Sequence, residues 1–302
     1  MGDQEFIQKM MDDLYPRLNK PGDSYYLPDW VKKSGYDPYG PFNWEVGQIK
    51  DQTVLNSAAT ICQAIDVSGT SGCPAGQRYI NAGMPPNYPT LTLSNCKLNG
   101  MRNVVADRPM AQPPNGRVII MQTELGTLTL VPPITNLLID GNFTFTNYCC
   151  CSTDKKTCSG APQAQVGQGK FTIAFPGAAK ASQHSNAVIT FTITDLRQGV
   201  LTMQVNSVIL NVPMGDDGAP SADVTVDITS FPDGADREDY SNIAMEAFNS
   251  PDARKMIHKS VNDTINTPAT LATISDILSK AIAGFLRDNH MYPFDKSAAA
   301  IV

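Results

Sequence analysis

Between Tyr88 and Phe231 the apolar residues fall on every second position, and that alternation constrains the fold more than any other feature of the chain. Leu91 and Leu93 open the pattern, and Leu128 with Leu130, Leu137 with Ile139, and Phe143 with Phe145 continue it. Phe171, Ile173 and Phe175 follow, then Ile189, Phe191 and Ile193. The last strands carry Leu201, Met203 and Val205, then Val208, Leu210 and Val212, then Val224, Val226 and Ile228. Threonines occupy many of the intervening positions, as a pleated surface with one wet face requires. Breaks are expected at Gly100, Pro132–Pro133, Gly141, Gly199 and Gly215–Gly218, giving an antiparallel meander of long strands.

On either side the period changes. Phe6, Ile7, Met10, Met11, Leu14 and Leu18 make one face of an N-terminal helix in which Pro16 predicts a kink or an early end. Val54, Ala58, Ile61, Cys62 and Ile65 predict a second, and residues 66–89 read as a loop. Between the two helices, Tyr25, Tyr26, Trp30, Tyr36, Tyr39, Phe42 and Trp44 share one Pro- and Gly-punctuated stretch. It reads as a loop-rich lid packed by its rings, or as an interfacial or ligand-facing aromatic patch. After the strands, Ser250 with Pro251 and Thr267 with Pro268 are N-cap and first-turn pairs. They predict two consecutive helices, or one kinked helix.

An apolar sheet face needs a cover. A strongly twisted sheet wrapped around the C-terminal helix would make a tapered tube, an α+β fold with an interior of Leu, Ile, Val, Phe and Met. The expected cavity-lining residues are Leu91, Leu93, Phe171, Ile173, Ile189, Phe191, Leu201, Met203 and Val226 on strands. On the helix they are Leu271, Ile274, Leu278, Ile282 and Phe285, with Lys280, Arg287 and Asp288 facing water. Each buried CH₂ contributes about 0.8 kcal/mol, so an acyl chain of roughly 16 carbons gains on the order of 10 kcal/mol before ordering costs.

Composition narrows the partners. The chain has 302 residues, 42% hydrophobic and only 17% charged, with a net charge of −6. No basic run exceeds two residues, which argues against nucleic acid. No apolar run approaches the roughly 18 residues needed to span a bilayer. The start, "MGDQEFIQKMMDDLY", is acidic and amphipathic, unlike a signal peptide. A secreted or extracellular location is favoured if the chain is a mature form, and a cytoplasmic one otherwise.

Seven cysteines include a cluster, Cys149, Cys150, Cys151 and Cys158, which reads as a surface loop closed by one or two disulfides. Its adjacent residues suit a zinc site poorly, and no metal or cofactor is expected. Of the histidines His184, His258 and His290, none sits in a catalytic motif, and no nucleophile elbow or phosphate loop is present. The acidic stretches around Asp216, Asp217 and Asp223, and around Asp233, Asp236, Glu238 and Asp239, lack calcium-loop spacing and read as solvated turns. Asn142 and Asn262 match the glycosylation pattern. No catalytic residues are identified, and the protein is not expected to be an enzyme.

Three stretches, "LTLSNCKLNGMRNVV", "GVLTMQVNSVILNVP" and "FNSPDARKMIHKSVNDTINTPATLATISDILSKAIAGFL", resemble the TULIP superfamily of tubular lipid-binding proteins, which includes the juvenile-hormone-binding/takeout and bactericidal permeability-increasing groups. The resemblance spans about residues 88–290 and implies a half barrel wrapped on a helix that binds a lipid or other hydrophobic molecule. The chain then divides into N-terminal helices and lid (1–87), a TULIP-like lipid-binding domain (88–290) and a tail (291–302). Two other functions fit the strands. One is a membrane-acting toxin, pore-forming or of the insecticidal type, with a membrane surface as partner and Leu128–Leu130 and Phe143–Phe145 as lipid-facing candidates. The other is a structural or adhesive β-rich module with a solid core.

Overall fold

The structure, a computed structural model, describes residues 3–83, 85–113, 116–125, 137–175, 185–197, 200–211 and 223–291. The expected strand positions Leu128, Leu130 and Val212, and the expected breaks at 132–133, 199 and 215–218, lie outside the described residues, as does the tail beyond Met291. The fold is mixed α+β, with antiparallel sheets and a C-terminal helix. Helix α1 (Asp3–Leu18) and the short α2 (Leu27–Lys33) precede strand β1 (Tyr39–Gln48) and helix α3 (Gln52–Val67). Strands β2 (Arg78–Asn81), β3 (Thr90–Asn99), β4 (Val104–Ala106), β5 (Met110–Gln112) and β6 (Val118–Leu125) follow. Then come β7 (Leu137–Ser152), β8 (Gln163–Phe175), β9 (Ser185–Arg197), β10 (Val200–Asn211) and β11 (Asp223–Ser230), and last α4 (Arg237–Asn249), α5 (Pro251–Ile265) and α6 (Pro268–Asp288).

The described strands form two sheets rather than one. The larger has the order β1-β3-β7-β8-β11, with β2 also paired to β7. The smaller has the order β10-β9-β6-β4, with β5 also on β6. Alternation sets the register: Leu91 faces Phe145, Leu93 faces Phe143, and Ile139 faces Ile173, all fully buried. Gly141 does not break the chain as expected. It lies within β7 opposite Phe171, where a side chain would press on the Cys96 backbone and the Phe171 ring.

Helix α4 covers the larger sheet. Phe248 packs on Phe143 and Phe171, and Tyr240 packs edge-on against Phe145. Tyr240 approaches so closely that a Cβ at Gly167 would overlap its ring. This helix replaces the solvated turn expected around Asp236–Asp239. Asp236 accepts from the Glu238 amide as N-cap, and Glu238 and Asp239 sit in the first turn, where the helix dipole favours acids.

Two other loop expectations are corrected. The loop-rich stretch at 20–50 contains α2 and the edge strand β1, which bends around Gly40, Pro41 and Gly47 while pairing with β3. The loop at 66–89 contains β2. The N-terminal segment 1–87 therefore contributes two strands to the larger sheet.

Helices α5 and α6 start where their caps predict, with Ser250 and Thr267 each accepting from a backbone amide three residues on. They run along a seam between β1 and β10, the edges of the two sheets. On the β1 side, the Trp44 indole donates to Thr264 Oγ1 at 3.1 Å, and the Tyr39 hydroxyl lies 2.9 Å from Thr270 Oγ1. On the β10 side, four helix side chains satisfy the outward backbone groups of the strand. Asn262 Oδ1 accepts from Leu210 N at 2.8 Å while its Nδ2 donates to Leu210 O at 3.0 Å. Asn266 does the same for Val208, at 2.8 and 2.6 Å. Ser275 and Ser279 accept from the amides of Val205 and Met203 at 2.8 and 2.9 Å. The periods match: four helical residues rise about 6 Å and two strand residues about 6.6 Å. Asn262 is thus engaged in holding β10, whatever its glycosylation pattern.

Three disulfides tie the far end of β7. Cys149 bonds to Cys62 of α3, Cys151 to Cys73, and Cys150 to Cys158 across a short loop. Only the last pair lies within the expected cluster, and Cys96 is a buried free thiol.

Candidate functional site

The smaller sheet, α2 and the α5–α6 seam line a half-open apolar cavity of about 120 Å³. Leu27, Trp30 and Val31 of α2 form one side. Val104, Met121, Ala187, Ile189 and Val208 form the sheet wall, and Ile265, Ile274, Ile277 and Leu278 form the helical wall. Pro28 in the first turn of α2 fixes the entry to that helix, and Lys32 and Lys33 complement its C-terminus in water. The helical wall follows from i, i+3, i+4 spacing in α6, whose opposite side carries the exposed Asp276–Lys280 ion pair.

Among the described lining residues none is charged, and the polar ones, Ser34, Tyr36, Tyr39, Thr123 and Thr270, are hydroxyls. Burial raises the Tyr36 phenol above its ordinary range, partly offset by its hydrogen bond with Thr273. Next to the cavity, Asp37 accepts from the backbone amides of Gly100 and Arg102 at 2.9 and 3.0 Å and pairs with the Arg102 guanidinium at 3.5 Å.

A second polar cluster pins the C-terminal end of α6. The Tyr25 hydroxyl donates to Asp288 at 2.5 Å, and the Arg17 guanidinium lies over the Tyr25 and Phe285 rings while pairing with Asp23 at 3.0 Å. Burial first, then the bond to Asp288, pushes the Tyr25 phenol up to about 12. Tyr25 also packs edge-on against Trp30, so this cluster backs the α2 wall.

Of the fourteen expected lining positions, the structure brings Ile189, Ile274 and Leu278 together on this wall. Leu91, Leu93, Phe171 and Ile173 sit in the closed core of the larger sheet. Phe191, Leu201, Met203, Ile282 and Phe285 are buried away from the cavity, and Val226 and Leu271 are half-buried against the core. Lys280, Arg287 and Asp288 are exposed. Alternation does not reveal the contributions of α2, Met101, Val104 and Met121. The aromatic stretch was the available signal: Trp30, Tyr36 and Tyr39 all face the cavity.

No family model matches this sequence, and no curated protein matches it. Among solved structures the chain is similar to takeout 1 of Epiphyas postvittana, with a TM-score of 0.30 and 13% identity, over 76% of this chain and 89% of that one.

Proposed function

We propose that this protein is a binding protein, not a catalyst, that holds a lipid or other hydrophobic molecule in the cavity between α2, the smaller sheet and α6. The observation that carries this reading is the wall itself: aliphatic and aromatic side chains from eight elements converge on one space with no charged group among the described lining residues. The motif resemblance to tubular lipid-binding proteins implies the same class of ligand. Three disulfides support an oxidising, extracellular setting. Native mass spectrometry and Nile red titration test the reading. A saturable complex of one Nile red per chain is expected, and no enhancement at any concentration refutes it.

One observation favours a second reading, action on membranes. Helix α6, with 21 residues, is long and apolar enough by length and composition to cross a bilayer. Asp276 and Lys280 interrupt its apolar run in the sequence, but they form an ion pair at 2.6 Å. Release of a dye from liposomes by the protein alone would move the assignment to this reading.

A further inference from the structure

Polar atoms of the lining residues are turned onto the protein. Thr123 Oγ1 donates to the Ala187 carbonyl at 3.2 Å, Ser34 Oγ to the Trp30 carbonyl at 2.6 Å, and the Trp30 indole to the Ser24 carbonyl at 3.0 Å. Tyr39 and Thr270 bond to each other at 2.9 Å. The surface left facing the cavity is almost wholly apolar. A polar group carried inside would lose its water and gain no partner, a cost that a hydrocarbon group avoids.

The space is also small and open on one side. Its floor lies on the smaller sheet, where Met121, Ala187 and Val208 are buried. Its rim lies on the helices, where Trp30 and Val31 of α2 face Ile274 and Ile277 of α6, all half-buried. An apolar cavity of roughly 150 Å³ takes one benzene, so a volume of about 120 Å³ holds no more than about six carbons. That is too little for the whole acyl chain of roughly 16 carbons that the strand pattern suggests.

We propose that the cavity takes only the end of its ligand, an unsubstituted hydrocarbon group of about six carbons, while the ligand's polar group stays in water beyond the rim. The site then selects by the size of that end and is indifferent to the head group. The proposal rests on the hydrophobic-ligand reading above and specifies which part of the ligand is recognised.

The test uses the full chain with its disulfides intact, Nile red as the displaced probe, and 1-alkanols from butanol to dodecanol as competitors. Displacement is expected to strengthen about fourfold with each added methylene up to about six carbons, and by less than about twofold per methylene beyond that break. Hexanol and heptanoate carry equal apolar chains, and at neutral pH, where heptanoate is ionised, they should agree within about threefold. Met121→Ala deepens the floor and should move the break to chains about three atoms longer. Ile277→Phe, on the half-buried rim, fills space instead and should move the break to shorter chains; it is the second variant should Met121→Ala unfold. A rise that stays near fourfold as far as dodecanol overturns the proposal and leaves hydrophobic binding standing. So does a larger difference between heptanoate and hexanol, or a break that neither variant moves. Failure of Nile red itself to bind overturns the hydrophobic-ligand reading, and this proposal with it.

Discussion

Replacing Asn266 by Ala tests whether side-chain amides hold the α5–α6 seam. The substitution removes two hydrogen bonds to Val208, at 2.8 and 2.6 Å, and one to the Asn262 carbonyl at 2.8 Å. A hydrogen bond contributes about 1 kcal/mol net, and a buried amide left without a partner costs about 1–3 kcal/mol. Val208 is 5% exposed, so water reaches its amide poorly. The three lost bonds alone give about 3 kcal/mol, and the orphaned amide raises the loss further. Ser275→Ala removes one bond to Val205, which is 2% exposed and whose amide is orphaned in turn, and should cost about 2 kcal/mol. Lys280→Ala, in an exposed pair with Asp276, should change stability by less than about 0.5 kcal/mol. Urea unfolding reads all three, as shifts in midpoint at unchanged slope. The order Asn266 over Ser275 over Lys280 is the signature. An Asn266→Ala midpoint indistinguishable from that of Lys280→Ala would show that water replaces the amide, and the reasoning would be refuted.

Leu278→Asp would bury an unpaired carboxylate on the cavity wall, with an expected loss of several kcal/mol and of Nile red binding together; a stable variant with unchanged uptake would remove α6 from the wall. Replacing both Cys62 and Cys149 by Ala should cost about 3 kcal/mol on chain-entropy grounds, close to the roughly 2.6 for Cys150 with Cys158, because the intact Cys73–Cys151 bridge leaves only the stretches from 62 to 73 and from 149 to 151 to be closed. A much larger loss for the Cys62–Cys149 pair in urea would count against that account. The Tyr25 phenol, raised from 10.0 to about 12, makes the neutral form the one the fold prefers. Its contribution is therefore full below pH 10.0 and lost as pH rises through about 12. The stability difference between wild type and Tyr25→Phe should shrink across that window, and a difference flat with pH would contradict it.

The strands were legible because alternation is local. Their sorting into two sheets was not, since Leu91 on β3 and Ile189 on β9 sit in the same kind of pattern yet belong to different layers. For the same reason alternation marked Ile189 as inward without saying that its neighbour there would be Leu278. The cavity joins α2, near residue 31, to α6, near residue 274, and no periodicity relates such distant segments. Helix α4 was hidden because its capping Asp and first-turn acids are also turn residues. Strand β1 was hidden by Gly40 and Pro41, which an edge strand tolerates. The cysteine triplet is explained by pleating: successive strand side chains point to opposite faces, so Cys150 turns away from its neighbours and finds a different partner.

The row of Asn and Ser side chains along β10 also bears on how this protein stays apart from its own copies. A bare strand at the margin of a sheet templates pairing with another chain, and from there growth of fibrils. Lysines or prolines are the usual guards on such a margin, but β10 has neither. Its guard is a helix that mimics the next strand, offering amide and hydroxyl groups at a strand's spacing. Solubility is thus coupled to the last helix: whatever loosens α6 from Met203 and Val205 opens the cavity wall and uncovers an adhesive edge in the same movement.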